Sequence, residues 1–226
     1  MNIHFLGTGA ADWTPTSRDA AGFHRHFSSA LIDGDLLIDP GPHVLTACKE
    51  QGVDPSAIRY IILTHPHNDH YCRETVDALA DMGAEFHRIT AGECVTLGDY
   101  TIRAVEGNHA TASYCVHFHI SKGDKRLFYA LDSAWLTYSA YQLLKRHGAD
   151  VAVLDATIGD RPGDYRIFEH NNLAMVEIMK QTLSPYVGTF VISHMALTLH
   201  DDHTTLAKAM EQKGIVAAYD GLILDI

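Results

Sequence analysis

Short apolar runs separated by polar turns dominate the first forty positions of the chain. Ile3 to Gly7 reads as a strand, Thr8 to Arg25 as a long polar loop, and Ser29–Ile32 and Leu36–Ile38 as two strands joined by the turn Asp33-Gly34-Asp35. This opening predicts a β-meander. A helix is expected from Val44 to Gln51, and the apolar run Tyr60-Ile61-Ile62-Leu63 predicts a buried strand ending at Thr64. The pattern then gives a helix near Arg73–Met82, several short strands through Leu131, a helix near Tyr138–Arg146 and a strand over Val151–Leu154. A second long loop, Asp155 to Glu169, leads to a helix near Leu173–Thr182, a strand at Thr189–Ile192, a helix at Thr204–Lys213, and strands at Ile215–Ala218 and Leu222–Ile226. The second half thus repeats the coarse order of the first. No linker or low-complexity stretch interrupts it, so residues 1–226 are expected to form one domain.

At 46% hydrophobic residues the chain can fill a core of ordinary size. The start Met1-Asn2-Ile3-His4-Phe5-Leu6 has neither the basic opening nor the apolar run of a signal peptide, and no stretch reaches membrane-spanning length. The expectation is a soluble, cytoplasmic protein with no membrane partner. Cys48, Cys72, Cys94 and Cys115 are too far apart for a C-x-x-C pair or a small-domain disulfide framework, which suits a reducing compartment. A net charge of −11 repels nucleic acid, so a small-molecule substrate is expected and no nucleic-acid partner. Sixteen histidines stand against seventeen lysines and arginines together, and histidine is the commonest metal ligand.

Their positions point to chemistry. Thr64-His65-Pro66-His67-Asn68-Asp69-His70 sets four potential ligands within six residues, where an apolar strand ends. In extended backbone, which Pro66 favours for its predecessor, His65 and His67 project to the same side and can reach one cation. Asp69 and His70 sit where the chain turns toward the next helix and can serve a second position nearby. A hydrolytic site commonly takes three protein ligands per metal, so two half-sites need completing. Other strand ends offer His109 after Val105-Glu106-Gly107-Asn108, Asp132 after Leu127 to Leu131, and His194 after Phe190-Val191-Ile192-Ser193.

With these residues in place the chain resembles the metallo-β-lactamase superfamily. The resemblance runs through Phe5-Leu6-Gly7-Thr8-Gly9, Leu37-Ile38-Asp39-Pro40-Gly41, the H-x-H-x-D-H cluster, Gly107-Asn108-His109, the strands ending at Asp132 and Asp155, and Ile192-Ser193-His194. It implies an α/β fold, the four-layer αββα sandwich of two mixed sheets flanked by helices. It also implies that His65, His67 and His109 bind a first metal, that Asp69, His70 and His194 bind a second, and that Asp132 bridges them. The cofactors would be two divalent ions, zinc foremost, with manganese, iron or nickel admitted by mixed His/Asp ligation. An Asp at position 132 where antibiotic-hydrolysing lactamases carry a Cys argues against that activity.

Within the superfamily the chain most resembles the phosphodiesterase branch that contains ribonuclease Z and a phosphoribosyl cyclic phosphodiesterase, and the ending Tyr219-Asp220-Gly221-Leu222 is similar to the latter. Glu169-His170-Asn171-Asn172-Leu173 resembles the place where this branch carries an additional active-site histidine, so Asp69 and His170 are the expected catalytic residues, His170 as general acid. The implied reaction is attack of a metal-bridging hydroxide on a small phosphodiester, cyclic ones included. Residues 10–25 contain no cysteine, so a cysteine-rich accessory zinc site is not expected, and no basic arm for tRNA is visible. A homodimer is implied by the resemblance alone. Thioester or lactone hydrolysis by the same fold remains open, as does metal binding or sensing without turnover. Arg18, Arg25, Arg161 and Arg166 lie in the two long loops and could clamp a second phosphate, but they read first as solvated surface arginines and are left unassigned; the pairs His117/His119 and His200/His203 read as surface residues.

Overall fold

The computed structural model describes residues 1–226 and contains two sheets with helices on their outer faces. The first sheet is built from β1 (Asn2–Gly7), β2 (Ser29–Ile32), β3 (Leu36–Ile38), β4 (Tyr60–Ile62) and β5 (Glu85–His87), with β13 (Ile223–Asp225) returning to pair with β1. The helices α1 (Val44–Glu50) and α2 (Arg73–Asp81) lie between its strands in sequence. The second sheet comprises β6 (Cys94–Leu97), β7 (Tyr100–Glu106), β8 (Val116–Lys122), β9 (Lys125–Ala130), β10 (Ala149–Asp155), β11 (Val187–Ser193) and β12 (Ile215–Ala217). Its crossovers are α3 (Tyr138–His147), α4 (Leu173–Leu183) and α5 (His203–Gln212).

Both sheets are mixed. In the first, β1, β2 and β3 pair antiparallel, whereas β3, β4 and β5 run parallel. In the second, β6 to β9 form an antiparallel meander and β9 to β12 run parallel. The main core lies between the sheets. Ile3, Phe5, Ile32, Leu36, Ile38 and Ile62 of the first meet Ile102, Phe118, Ile120, Leu127, Tyr129 and Val153 of the second. The alternate residues of the same strands face outward and are also buried: Leu31, Leu37 and Ile61 under α1 and α2, and Phe128, Ala152 and Leu154 under α3, α4 and α5. Strands buried on both faces read as continuous apolar runs, which is why β4 and β10 look so in the sequence. The result is the αββα arrangement expected above.

Several residues read as surface positions are inside. Arg25 is 3% exposed; its guanidinium donates to Thr8 Oγ1 and, at 2.8 Å, to Ala218 O, and lies 2.9 Å from His203 Nδ1. His117 and His119 are fully covered because they point to the outer face of β8, a strand inside the sheet, beneath α3. His203 is buried against Phe23, and His200 is half-buried on Ala156 O. A two-residue alternation identifies which histidines share a face, but not whether that face is covered.

Burial holds the pKa of His117 down to about 4, opposed only in part by Asp155 and Asp132. In the unfolded chain it titrates near 6.5, so the unfolded state takes up a proton at acid pH before the folded state does. Stability from this residue is therefore complete above pH 6.5 and is lost as the pH falls toward 4, by about 3 kcal/mol. Urea denaturation at pH 7 and pH 4 should show His117→Gln losing about that much less than the parent chain. The same loss in both proteins would mean that His117 is not held neutral.

Candidate metal centre

The parallel strands deliver their carboxyl ends to one edge of the sandwich. Ligand sites in open α/β sheets collect at such edges, because the connecting loops leave the strands there. His65 follows β4, Asp132 follows β9, Asp155 closes β10 and His194 follows β11, while His109 follows the antiparallel β7 and His170 lies just before α4. Asn172 caps α4 by accepting from Met175 N at 2.8 Å, which fixes where the chain leaves the loop beside His170. Asn108 ties the His109 loop to the Asp132 loop: it donates from N to Ser133 Oγ (2.8 Å) and from Nδ2 to Ala134 O (2.7 Å), and its carbonyl accepts from Ala134 N at 3.2 Å.

All eight residues singled out in the sequence come together. His65, His67 and His109 form one group, and Asp69, His70 and His194 another, with the facing donor atoms of each within 4.8 Å of one another. Asp132 stands between them. Its Oδ1 lies 3.9 Å from both His65 Nε2 and His109 Nε2, and its Oδ2 lies 2.9 Å from His70 Nε2 and 3.2 Å from His194 Nε2. Asp39, Asp132 and His194 have left-handed backbone (φ 61°, 50° and 64°), a conformation that Asp and His adopt at modest cost and that concentrates at functional sites.

The outer nitrogens of the imidazoles decide what the inner ones can be. His70 Nδ1 donates to Asp39 Oδ2 at 2.8 Å. Thr64 Oγ1 donates to Asp39 and so accepts from His65 Nδ1 at 3.1 Å. Thr157 Oγ1 donates to Asp155 and accepts from His194 Nδ1 at 2.7 Å, and His109 Nδ1 faces Glu169 O at 3.3 Å. In each neutral ring the Nε2 lone pair is then left pointing inward. Those lone pairs meet at short range: His70 Nε2 is 3.2 Å from His194 Nε2, and His109 Nε2 is 3.1 Å from His67 Nδ1. His65 Nε2 is buried with no hydrogen-bond partner, and the buried Asp132 Oδ2 meets only the Nε2 atoms of His70 and His194. Only protons or cations between these atoms can relieve that arrangement, and the donor set of imidazoles and carboxylates fits divalent cations.

Protons compete for the same lone pairs. Burial opposes charging of His194, yet Asp132, Asp155 and Asp69 overcome it and raise its pKa to about 10; His70 is raised for the same reasons by Asp132, Asp69 and Asp39. His65 goes the other way, to about 2, because burial and the neighbouring His70 outweigh Asp132. Asp132, although burial disfavours its charge, is held well below the usual carboxylate range by His194, His70 and His65.

His170 adjoins both groups, and its donor atom lies within 4.8 Å of those of Asp132, Asp155 and His194. Its Nδ1 lies 3.1 Å from Asp155 Oδ2 and 3.0 Å from Thr157 Oγ1, its ring stacks on His194 with centroids 5.6 Å apart, and its Nε2 has no protein partner. Burial lowers its pKa but Asp155 raises it further, so the net shift is upward. A cavity of about 370 Å³ opens over this edge, with Asp69, Asp132, His170 and His194 on its floor and Ala11, Tyr165 and Arg166 on its walls.

Residue patterns gave no role to four groups that organise the centre. Asp39 and Asp155 are fully buried acceptors behind the histidines, Thr157 bridges Asp155 to His194, and Glu169 holds Thr111 N and Oγ1 at 3.0 and 2.9 Å while its carbonyl meets His109. An Asp closing an apolar strand was the available signal for Asp155. Nothing comparable marks Thr157.

Residues 28–72 match the family model described as the metallo-beta-lactamase superfamily, and this stretch contains Asp39 and the whole H-x-H-x-D-H cluster. The chain has the metallo-β-lactamase fold. Among solved structures the domain is similar to Zn2+-bound PqqB from Methylobacterium extorquens (TM-score 0.74, 19% identity, 100% of both chains). It is also similar to a diphosphatase of the PhnP family (TM-score 0.73, 20% identity, 100% of this chain and 97% of that one) and to human tRNase Z, short form (TM-score 0.74, 17% identity, 100% and 99%). At these identities the likeness is one of fold. A UPF0173 protein from Pyrococcus abyssi is 30% identical over 115 residues, which cover 43% of this chain and 51% of that protein, so the match spans about half of the relative. No helix of the chain is long and apolar enough to cross a membrane.

Proposed function

We propose that the chain acts as one dinuclear metal-dependent hydrolase domain, and that its substrate is a small phosphodiester. The observation that carries this reading is Asp132, whose two carboxylate oxygens face the two histidine groups separately. His65, His67 and His109 would hold one cation, Asp69, His70 and His194 the other, and Asp132 both. Zinc suits this donor set, and a zinc-bound neighbour of the same fold supports it, although manganese, iron and nickel accept the same ligands. Cations held there would supply Lewis acidity toward a phosphoryl oxygen and a water of lowered pKa.

The chain's own groups do the rest. Asp155 and Thr157 fix the His170 ring through Nδ1, so that Nε2 is the nitrogen able to hold a proton at the cavity. A departing alkoxide needs such a proton, whereas a nitrophenolate does not. A group of this kind favours the phosphodiester over the thioester, whose thiolate leaves without a proton, and two neighbours named as a diphosphatase and a tRNase favour it over the lactone. We place the protein in the cytoplasm and expect no nucleic acid or membrane among its partners.

The test is turnover of bis(p-nitrophenyl) phosphate, 2′,3′-cyclic nucleotides and 1,2-cyclic phosphoribose beside a thioester and a lactone, with metal content measured on the same sample. Phosphodiester turnover with two metals supports the proposal. Carbonyl turnover alone would move the activity to thioesters or lactones, and two metals without any turnover would indicate binding or sensing.

The residues behind the ligands make a separate prediction. Asp39→Asn keeps the shape of the side chain but weakens the acceptor for His70 Nδ1, and loss of such a partner typically costs 10- to 100-fold in metal affinity. Competition with a chelator of known affinity should show a decrease of about that size. Unchanged affinity would rule out a ligating role for His70.

A further inference from the structure

The cavity over the metal centre is lined by four carboxylates, from Asp12, Asp69, Asp132 and Glu169, and by only one lysine or arginine, Arg166. The carboxylates are already engaged. Asp69 and Asp132 face the imidazoles of the centre, Asp12 accepts from Leu197 N, Thr198 N and Thr198 Oγ1 at 2.8 to 3.0 Å, and Glu169 grips Thr111. The Arg166 guanidinium is only partly engaged. Asp164 takes its Nε at 2.9 Å and its Nη2 at 2.7 Å, which fixes the plane of the group, and Nη1 has no protein partner. Of the five N–H bonds of a guanidinium, three thus remain for a ligand.

The support beneath this side chain is firm. Arg166 lies in a one-turn 3-10 helix, Tyr165–Phe168, whose N-cap Asp164 also accepts from Arg166 N at 2.9 Å. The next residue, Ile167, packs on Ala10, Ile158, Ala196 and Leu199. Downstream, Asn171 N donates to Asp155 at 2.9 Å, and Ile158 pairs with Asn172 to close the base of the loop. The guanidinium is held in advance at the wall of the cavity, which keeps the entropy cost of engaging a ligand low.

We propose that Arg166 binds a second anionic group of the substrate, a phosphate or carboxylate lying beyond the scissile phosphodiester, and so selects substrates with two or more negative charges over singly charged ones. This rests on the phosphodiesterase reading. The metals and His170 account for one phosphoryl group and its leaving oxygen, whereas a planar donor fork with a free edge matches an additional oxyanion. A singly charged diester leaves that edge to water.

The experiment compares two esters with the same leaving group, the p-nitrophenyl ester of thymidine 5′-monophosphate and its 3′-phosphorylated counterpart, in the parent protein, Arg166→Gln and Arg166→Lys, with bis(p-nitrophenyl) phosphate as a control. The parent should show the lower KM for the 3′-phosphorylated ester. Arg166→Gln should raise that KM by about 10- to 100-fold and leave the other two substrates within about twofold, the loss expected for a hydrogen bond to a charged group. Arg166→Lys should recover part of the loss, because it restores the charge without the fork. Equal changes for both thymidine esters, or none, would overturn the proposal while turnover of the control leaves the hydrolase reading standing. If no ester were turned over, that reading would fail, and calorimetric titration with inorganic pyrophosphate and phosphate decides Arg166 separately. Binding of pyrophosphate weakened at least tenfold by Arg166→Gln, with phosphate unchanged, supports the anion site; equal binding by both proteins overturns it.

Discussion

Asp132→Asn is expected to reduce bound metal from two ions per chain to one or fewer and to lower kcat by about a thousandfold, equivalent to roughly 4 kcal/mol of transition-state stabilisation. Asn is the informative replacement because residue 132 has φ 50°, which Asn tolerates far better than Ala. The backbone, the side-chain volume and one acceptor oxygen are kept, and what is lost is the charge and the second equivalent oxygen. One half-site would then be completed by a carbonyl and the other by an amide nitrogen, which cannot ligate. In the parent chain Asp132 also balances the protons of His70 and His194, so the variant should hold those imidazoles neutral to lower pH. Metal analysis and steady-state kinetics on one preparation read both consequences. Two ions bound with kcat within tenfold would mean that Asp132 does not join the two groups.

Much of this centre was legible because strand ends are legible. An apolar run followed by a ligand-bearing residue marks β4, β9 and β11, and the parallel sheets carry those ends to one edge. H-x-H-x-D-H added the stretch most economical to read, since its side chains are placed by local backbone alone. The order of the elements was also readable, with boundaries shifted by one or two residues, as at α4, expected to end at Thr182 and ending at Leu183. What the pattern did not show depends on contacts distant in sequence. Asp39 reaches His70 across 31 positions, and Thr157 reaches His194 across 37; no periodicity relates such residues. Burial of single polar groups was equally hidden. Arg25 reads as a loop arginine, and only the closing of Ala218 and His203 over it makes it an interior group whose pKa burial lowers to about 10. His117 and His119 share a face by simple alternation, but the cover supplied by α3 comes from another part of the chain.

His170→Ala is expected to keep both metals and to lower kcat by about 10²- to 10⁴-fold for substrates that expel an alkoxide, with a much smaller loss for p-nitrophenyl esters. The distinction follows from the proton. An alkoxide is far too basic to leave unprotonated at neutral pH, whereas p-nitrophenolate leaves readily without help, so a general acid accelerates the first and barely affects the second. The ring is built for this role on geometric grounds: Asp155 and Thr157 hold Nδ1, and Nε2 is free at the cavity. Asp155 also raises the pKa of His170 above 6.5 against the effect of burial, which keeps the acid form present at neutral pH. The sign of the pH dependence follows. For alkoxide substrates the parent rate should fall as the pH rises through that elevated value, and this alkaline limb should be absent from His170→Ala and weak for nitrophenyl esters in either protein. A uniform loss across leaving groups, with the alkaline limb retained, would make His170 a residue that positions His194 through their stacked rings rather than one that delivers a proton.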